Sequence, residues 1–368
     1  MGASKERYVG RGSSARPKNR FERIEVVEDE DALESEVQGS AAEKGGPPQL
    51  RKKVKTEYFD DDSKSIVTEN SSPDIPFRYS LNPYRGCSHG CSYCYARPSH
   101  EYLGFNAGID FEAKIVVKRR AADLFRQRLD KQSWRGEPVM MSGVTDSYQP
   151  VERELRIARE CIKVAAEFNQ PIGIITKNAL VTRDIDLLAP MAAKGLCRVA
   201  VSVTSLDQSL TGRMEPRTSA PAARLDAIRR LSSAGIPVTV MVAPLVPGLT
   251  EEEMPAILEA AREAGAVNAS YIMLRLPLTV EPVFQEWLAS HFPDLQERVL
   301  GRIRQVRSGG MNDSQFKSRM RGSGVWADHL SSAFKLFHRK YGYEPKVKPL
   351  DSSLFRRPAK PGSQMELF

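Results

Sequence analysis

Five apolar, β-rich runs divide the middle of this chain at the interval of one strand–helix unit. They are Val139–Val144, Ile172–Thr176, Val199–Thr204, Val238–Val246 and Ser270–Leu276. Their starts lie 33, 27, 39 and 32 residues apart, enough for a strand, a helix and two short connections. Around and between them, Lys114–Leu129, Glu152–Phe168, Arg183–Lys194, Ala222–Ala234 and Glu251–Ala264 have the spacing of helices with one apolar face. Gly195, Gly235 and Gly265 follow three of these stretches, where a left-handed cap ends a helix. Runs that are apolar on both faces suit strands covered by helices, hence a parallel sheet. With Phe77–Tyr84 as a first strand there are about six units. The expectation is an α/β fold, a partial (β/α)6 barrel over residues 71–310.

The flanks read differently. Residues 1–60 carry 12 basic and 12 acidic side chains in blocks broken by Gly and Pro, so residues 1–70 are expected to be a disordered polyampholyte. Trp287–Phe292 and Leu295–Val306 read as helices. Residues 311–345 read as a basic extension in which a loop leads into an amphipathic helix, and 346–368 as a flexible tail. The net charge of +8 is concentrated late, since residues 298–368 hold 15 Lys and Arg against 5 Asp and Glu. No run approaches the ~20 apolar residues of a membrane span, and the start has no apolar signal region, so a cytoplasmic protein is expected, with nucleoid association as an option.

Three of the five cysteines, Cys87, Cys91 and Cys94, fall within NPYRGCSHGCSYCYARP. Thiols clustered in a long chain without a signal point to metal in a reducing compartment rather than a disulfide framework. Three ligands on a [4Fe–4S] cluster leave one iron open to a small molecule, whereas electron-carrier ferredoxins supply four cysteines. Zinc held with His89 or a more distant ligand is the alternative, although no second ligand arm is present. Cys161 and Cys197 lie on apolar segments and read as core residues.

Cys-x3-Cys-x2-Cys opening a chain of six strand–helix units resembles the radical SAM superfamily. NPYRGCSHGCSYCYAR and SGVTDSYQPVE are similar to its spore photoproduct lyase branch, over roughly residues 74–340. The resemblance implies a [4Fe–4S] cluster on Cys87, Cys91 and Cys94. It also implies S-adenosylmethionine (SAM) across the C-terminal strand ends, cleaved to a 5′-deoxyadenosyl radical by an electron from a flavodoxin or ferredoxin. Residue by residue it puts Tyr93 against the adenine, Ser142 and the turn Gly143–Asp146 at the methionine amino group, and Lys177 at the carboxylate. Ser202 and Thr204 fall at the ribose, and Ala243–Gly248 at an adenine-contacting turn. Asp146 and Glu152 could instead serve as turn and cap for the helix after Pro150, and Glu215 could pair with Arg217 or face the cavity. His100 reads as structural. That branch has a cysteine hydrogen donor near the end of strand two, where this chain reads Val139-Met140-Met141-Ser142. The same dimer repair is thereby placed in doubt, with Tyr95 or Tyr148 as alternative relays.

The basic C-terminal third interleaves Phe334, Phe337, Tyr341 and Tyr343 with Arg339, Lys340 and Lys346, which suits phosphate contact and base stacking. The same aromatics at i, i+3 and i+7 suit a core-facing stripe. The final Gln364-Met365-Glu366-Leu367-Phe368 is similar to the sliding-clamp-binding peptide. The reading is a radical SAM enzyme on nucleic acid, in DNA repair or modification. Its alternatives are radical SAM chemistry on RNA, peptide or a small metabolite, and a metal-stabilised scaffold on DNA or the clamp without turnover.

Overall fold

A computed structural model describes residues 8, 10–21 and 53–358. Ten strands occur among them: β1 (Glu57–Asp60), β2 (Val67–Glu69), β3 (Tyr79–Leu81), β4 (Tyr84–Arg85), β5 (Lys114–Val117), β6 (Val139–Met141), β7 (Ile172–Thr176), β8 (Cys197–Ser202), β9 (Val238–Leu245) and β10 (Asn268–Met273). The larger sheet runs β2-β3-β6-β7-β8-β9-β10. From β3 onward each strand pairs in parallel with the next, and only β2 is antiparallel. The six expected units are thus present as an open parallel sheet, with no ladder joining β10 back to β3 among the described residues. Val199, Val201, Val238 and Val240 are fully buried within it. A continuous core forms because the covering helices turn residues such as Ala158, Cys161, Ile162, Ile228, Ile257 and Leu258 inward.

Two boundaries differ from expectation. Lys114–Leu129 is not one helix: Lys114–Val117 pairs in parallel with Glu57–Asp60, and the helix is Ala121–Asp130. Three β-branched residues in a row, Ile115-Val116-Val117, prefer a strand to a helix turn. Glu152–Phe168 is likewise broken at Arg156, whose φ of 54° and ψ of 26° are left-handed, and helix resumes at Ile157–Glu167. The buried Glu152 carboxylate accepts from the Ala158 amide at 3.1 Å and so caps the second helix.

The flanks are more ordered than their composition implies. Residues 10–21 and 53–69, expected to be disordered, lie against the core, and the second of these segments supplies β1 and β2. At the other end, Asp351 donates to the Gly195 carbonyl, Arg356 to that of Phe168, and Phe355 stacks on Phe168 with centroids 6.3 Å apart. Residues 351–356, expected to be part of a flexible tail, therefore cross the chain just before β7 and β8. The basic helix is Val325–Lys340, and its aromatic stripe faces inward: Phe334 and Tyr343 are buried while Phe337 and Tyr341 pack against the core. Phe334 and Tyr343 are thus committed to packing, whereas Phe337 and Tyr341 keep part of their surface open. The pentapeptide Gln364–Phe368 and residues 22–52 lie outside the described residues. No helix among the described residues is long and apolar enough to cross a membrane.

Candidate radical SAM site

The polar residues singled out in the sequence gather at the C-terminal ends of the parallel strands, where active sites of βα folds form. The loop after β3 and β4 carries Cys87, Cys91 and Cys94. It is pinned by the Cys87 amide on the Phe111 carbonyl at 2.9 Å and by turn hydrogen bonds from Gly90 to Cys87 and from Cys94 to Cys91. Gly90 has φ 68°, and a Cβ there would sit 2.6 Å from the Glu112 carboxylate, so only glycine closes this turn. Cys87 and Cys91 are buried and Cys94 is half-buried at the seam of two apolar clusters. Burial pushes all three thiols up, Cys87 to about 12, while backbone hydrogen bonds from His89 and Asp146 to Cys87, and from Ala96 to Cys94, act in the opposite sense.

Around this loop the other strand ends close in. Asp146 accepts from Thr176 Oγ1 at 2.9 Å and from the Lys177 amide at 2.8 Å, which ties the turn after β6 to the end of β7. It also accepts from the Tyr148 amide at 2.9 Å, so the turn function foreseen for it is met as well. Lys177 Nζ donates to the Ala243 carbonyl at 2.9 Å and stands 5.8 Å from the Tyr93 ring centroid, so it faces the cysteine loop. Ser142, at φ 81°, donates to Ser147 Oγ and accepts the Ser147 amide within its own turn. Tyr93 is buried beside Leu210, Met214 and Val246, with Cys91 acting on its hydroxyl. Ser202 ends β8 with its carbonyl held by Arg224 at 3.0 Å.

Thr204 is fully buried and donates its hydroxyl to Glu215, and Glu215 pairs with Arg224 at 2.9 Å. Burial raises the Glu215 carboxyl, but Arg224 and Lys177 outweigh it and hold the group below its ordinary range. Glu215 thus pairs with Arg224, not with Arg217, which reaches the Gly10 carbonyl instead. Tyr148 is spent on Asp184 at 3.0 Å inside the core, whereas half-exposed Tyr95, next to Cys94, donates to the Gly143 carbonyl. His100 is buried against Phe105 and Phe111, and burial lowers it to about 4.

Sequence reasoning did not identify Arg97, Glu112 or Arg275. Arg97 and Glu112 are fully buried and paired at 2.5 Å, and Arg97 also donates to the Cys91 carbonyl at 2.8 and 3.0 Å. The one signal for them is a charged residue inside each short helix flanking the loop. Arg275, two residues past β10, lies 5.7 Å from the Tyr95 ring centroid.

The family model of the Radical SAM superfamily matches residues 81–261. An uncharacterised protein of Mycobacterium tuberculosis is 40% identical over 226 residues, which are 61% of this chain and 66% of that protein. Another, of Methanocaldococcus jannaschii, is 26% identical over 60% of this chain and 79% of its own length. Among solved structures, spore photoproduct lyase complexed with dinucleoside spore photoproduct superposes with a TM-score of 0.56, covering 85% of this chain and 92% of that one at 15% identity. A mutant of the same lyase, with AdoMet and the dinucleoside bound, gives 0.53 at 17% identity over 78% and 80% of the two chains. At such identity the likeness establishes the fold. Residues 81–261 form a radical SAM domain, and enzymes of that class use an iron–sulfur cluster and SAM as cofactors.

The residues present fit these cofactors. Two buried thiols and one half-buried thiol share one loop and act on one another, with amide hydrogens directed at two of the sulfurs. Cys161 and Cys197 lie in the core between helix and sheet rather than on this loop. Both ring nitrogens of His89 are engaged elsewhere, one 3.2 Å from Asn178 Nδ2 and the other 3.4 Å from Asp146, which does not suit a zinc ligand. Among the described residues no three His, Cys, Asp or Glu side chains converge as a single-ion site.

Proposed function

We propose that this chain cleaves SAM reductively and directs the resulting radical at nucleic acid, with DNA repair or modification as the reaction class. Cys87, Cys91 and Cys94 would hold a [4Fe–4S] cluster, which would supply the electron for reductive C–S cleavage of SAM and so the means of hydrogen abstraction from the substrate. Lys177 meets the SAM carboxylate, and Asp146 holds Lys177 and the turn in place. Ser142 meets the methionine amino group, Ser202 and Thr204 the ribose, and the Tyr93 backbone the adenine. A flavodoxin- or ferredoxin-type reductant in the cytoplasm supplies the electron.

One observation carries the nucleic-acid reading. Arg275, Arg307 and Arg321 gather around β10 and its C-terminal end, Arg275 against the Tyr95 ring, and among the described residues none has a carboxylate at ion-pair distance. Arg307 and Arg321 donate to backbone carbonyls, and Arg275 reaches only the Met320 sulfur at 3.8 Å. Burial lowers Arg307 to about 10, and burial together with the like charge of Arg319 lowers Arg275, while Asp313 acts in the opposite sense on both and Asp74 on Arg275. Arg307 is buried on backbone carbonyls, but half-buried Arg275 and exposed Arg321 leave positive charge that a polyanion would stabilise, and phosphodiesters supply one.

The test is oligonucleotide binding against salt, paired with 5′-deoxyadenosine release. DNA should bind at low salt, stimulate release, and lose about tenfold in affinity with Arg275→Gln. Stimulation by RNA alone moves the substrate to RNA. No binding and no stimulation by either contradicts the reading and favours a peptide or metabolite, and absence of any SAM cleavage favours the scaffold. The ending Gln364–Phe368 supports docking to the sliding clamp, and its deletion should abolish clamp pull-down.

A further inference from the structure

Residues 10–21 form a strap laid across the cysteine loop, and its contacts converge on one buried ion pair. The Gly12 amide donates to Glu112 Oε2 at 2.9 Å, and Arg11 donates to the Glu112 backbone carbonyl at 2.7 Å. The other Glu112 oxygen takes Arg97 Nη2 at 2.5 Å, and Arg97 turns its remaining donors onto Cys91, Ala107 and Gly108 carbonyls. Downstream, the Ile109 amide reaches Ala15, Asn19 bonds the Glu101 and Phe105 carbonyls, and Arg20 pairs with Glu101 at 2.6 Å. The approach at Gly12 is so close that a Cβ would lie 1.6 Å from the carbonyl oxygen of Gly90, between the first and second cysteines. A fourth segment closes the arrangement, since Arg217 donates to the Gly10 carbonyl and its amide to that of His89.

A fully buried Arg–carboxylate pair is costly unless every donor and acceptor is met. Here the strap amide completes Glu112, and Arg97 carries the constraint to the backbone of Cys91. We propose that the strap is a positioning device. Through Gly12, Glu112 and Arg97 it clamps the Cys87–Cys94 loop in its ligating shape in advance of the cluster. None of the three residues is a ligand. This inference rests on the reading of that loop as the cluster site, but its first readout does not need the cluster.

The experiment compares the full chain with Gly12→Ala, with a variant lacking residues 1–21, and with Gly212→Ala as a control in open helical space. Amide hydrogen exchange across residues 87–97 of the apoprotein should quicken about tenfold or more in the first two variants only, with far-ultraviolet dichroism unchanged. After anaerobic reconstitution, iron should pass to a chelator at least about tenfold faster, with an altered electron paramagnetic resonance line shape. Glu112→Gln, which keeps one acceptor oxygen, should fall between parent and Gly12→Ala. Parent-like exchange and iron retention in both strap variants overturn the proposal. So does loss of the parallel sheet along with loop protection, because the strap would then belong to the fold as a whole. If the parent takes up no iron, the cluster reading fails while the exchange comparison still decides the clamp.

Discussion

The chain buries two sets of cysteines, and burial does not tell them apart. Cys161 and Cys197 are 0% and 1% exposed, and Cys87 and Cys91 are 7% each. Burial raises every one of these thiols, Cys197 and Cys87 both to about 12. The difference is their company. Burial is the one influence resolved on Cys197, and Cys161 adds only the carboxylates of Glu152 and Glu160, whereas the loop thiols act on one another, Cys87 and Cys94 accept backbone hydrogen bonds, and Lys177 and Arg97 lie near. A buried thiol becomes a candidate ligand when its surroundings supply hydrogen bonds and positive charge to a thiolate, not when it is merely sheltered.

The largest effect expected from breaking that contrast is on iron. Cys91→Ala should lose nearly all iron after anaerobic reconstitution while Cys197→Ala keeps it, and equal iron in the two would erase the distinction. Next comes the charge network beside the loop. Glu215→Gln strands the buried Arg224 guanidinium and should cost about 3–5 kcal/mol in denaturant unfolding. Because Arg224 and Lys177 hold the folded Glu215 carboxyl below its ordinary pKa of about 4.5, its contribution is present above that pH and lost as the pH falls through the folded value. Parent stability should decline on acidification more steeply than that of the Gln variant, and parallel curves would remove Glu215 from the account.

Lys177→Met should weaken SAM binding by about 10- to 100-fold, the worth of a hydrogen bond to a charged group. A change under about twofold would reduce Lys177 to a brace for Ala243. The smallest effect belongs to the core thiols, where Cys197→Ala should cost about 1–2 kcal/mol of stability by leaving a small cavity, with SAM affinity unchanged.

Much of the fold and the site is legible in the amino-acid sequence. The parallel strands stand out as apolar, β-rich runs repeating at the interval of a strand–helix unit, and the cysteines because their spacing is local. Lys177 stands out as a charge just past a buried strand. What the sequence hides depends on partners far apart in the chain. Gly12 meets Glu112 across 100 residues, and Asp351 meets Gly195, in stretches whose composition matches a disordered tail. Glu215 finds Arg224 rather than the nearer Arg217 because a helix turn brings Arg224 under it, and composition carries no trace of that. The aromatic stripe at 334–341 suits either bases or a core by spacing alone, and packing decides for the core at Phe334, with Phe337 and Tyr341 only partly covered.

Most direct for the central claim is anaerobic incubation of the reconstituted protein with SAM and dithionite, followed by chromatographic measurement of 5′-deoxyadenosine. The account predicts product from the parent and from Cys197→Ala, and none above background from Cys87→Ala, Cys91→Ala or Cys94→Ala. A parent loaded with iron that releases no 5′-deoxyadenosine, or a loop variant that releases as much as the parent, would contradict it.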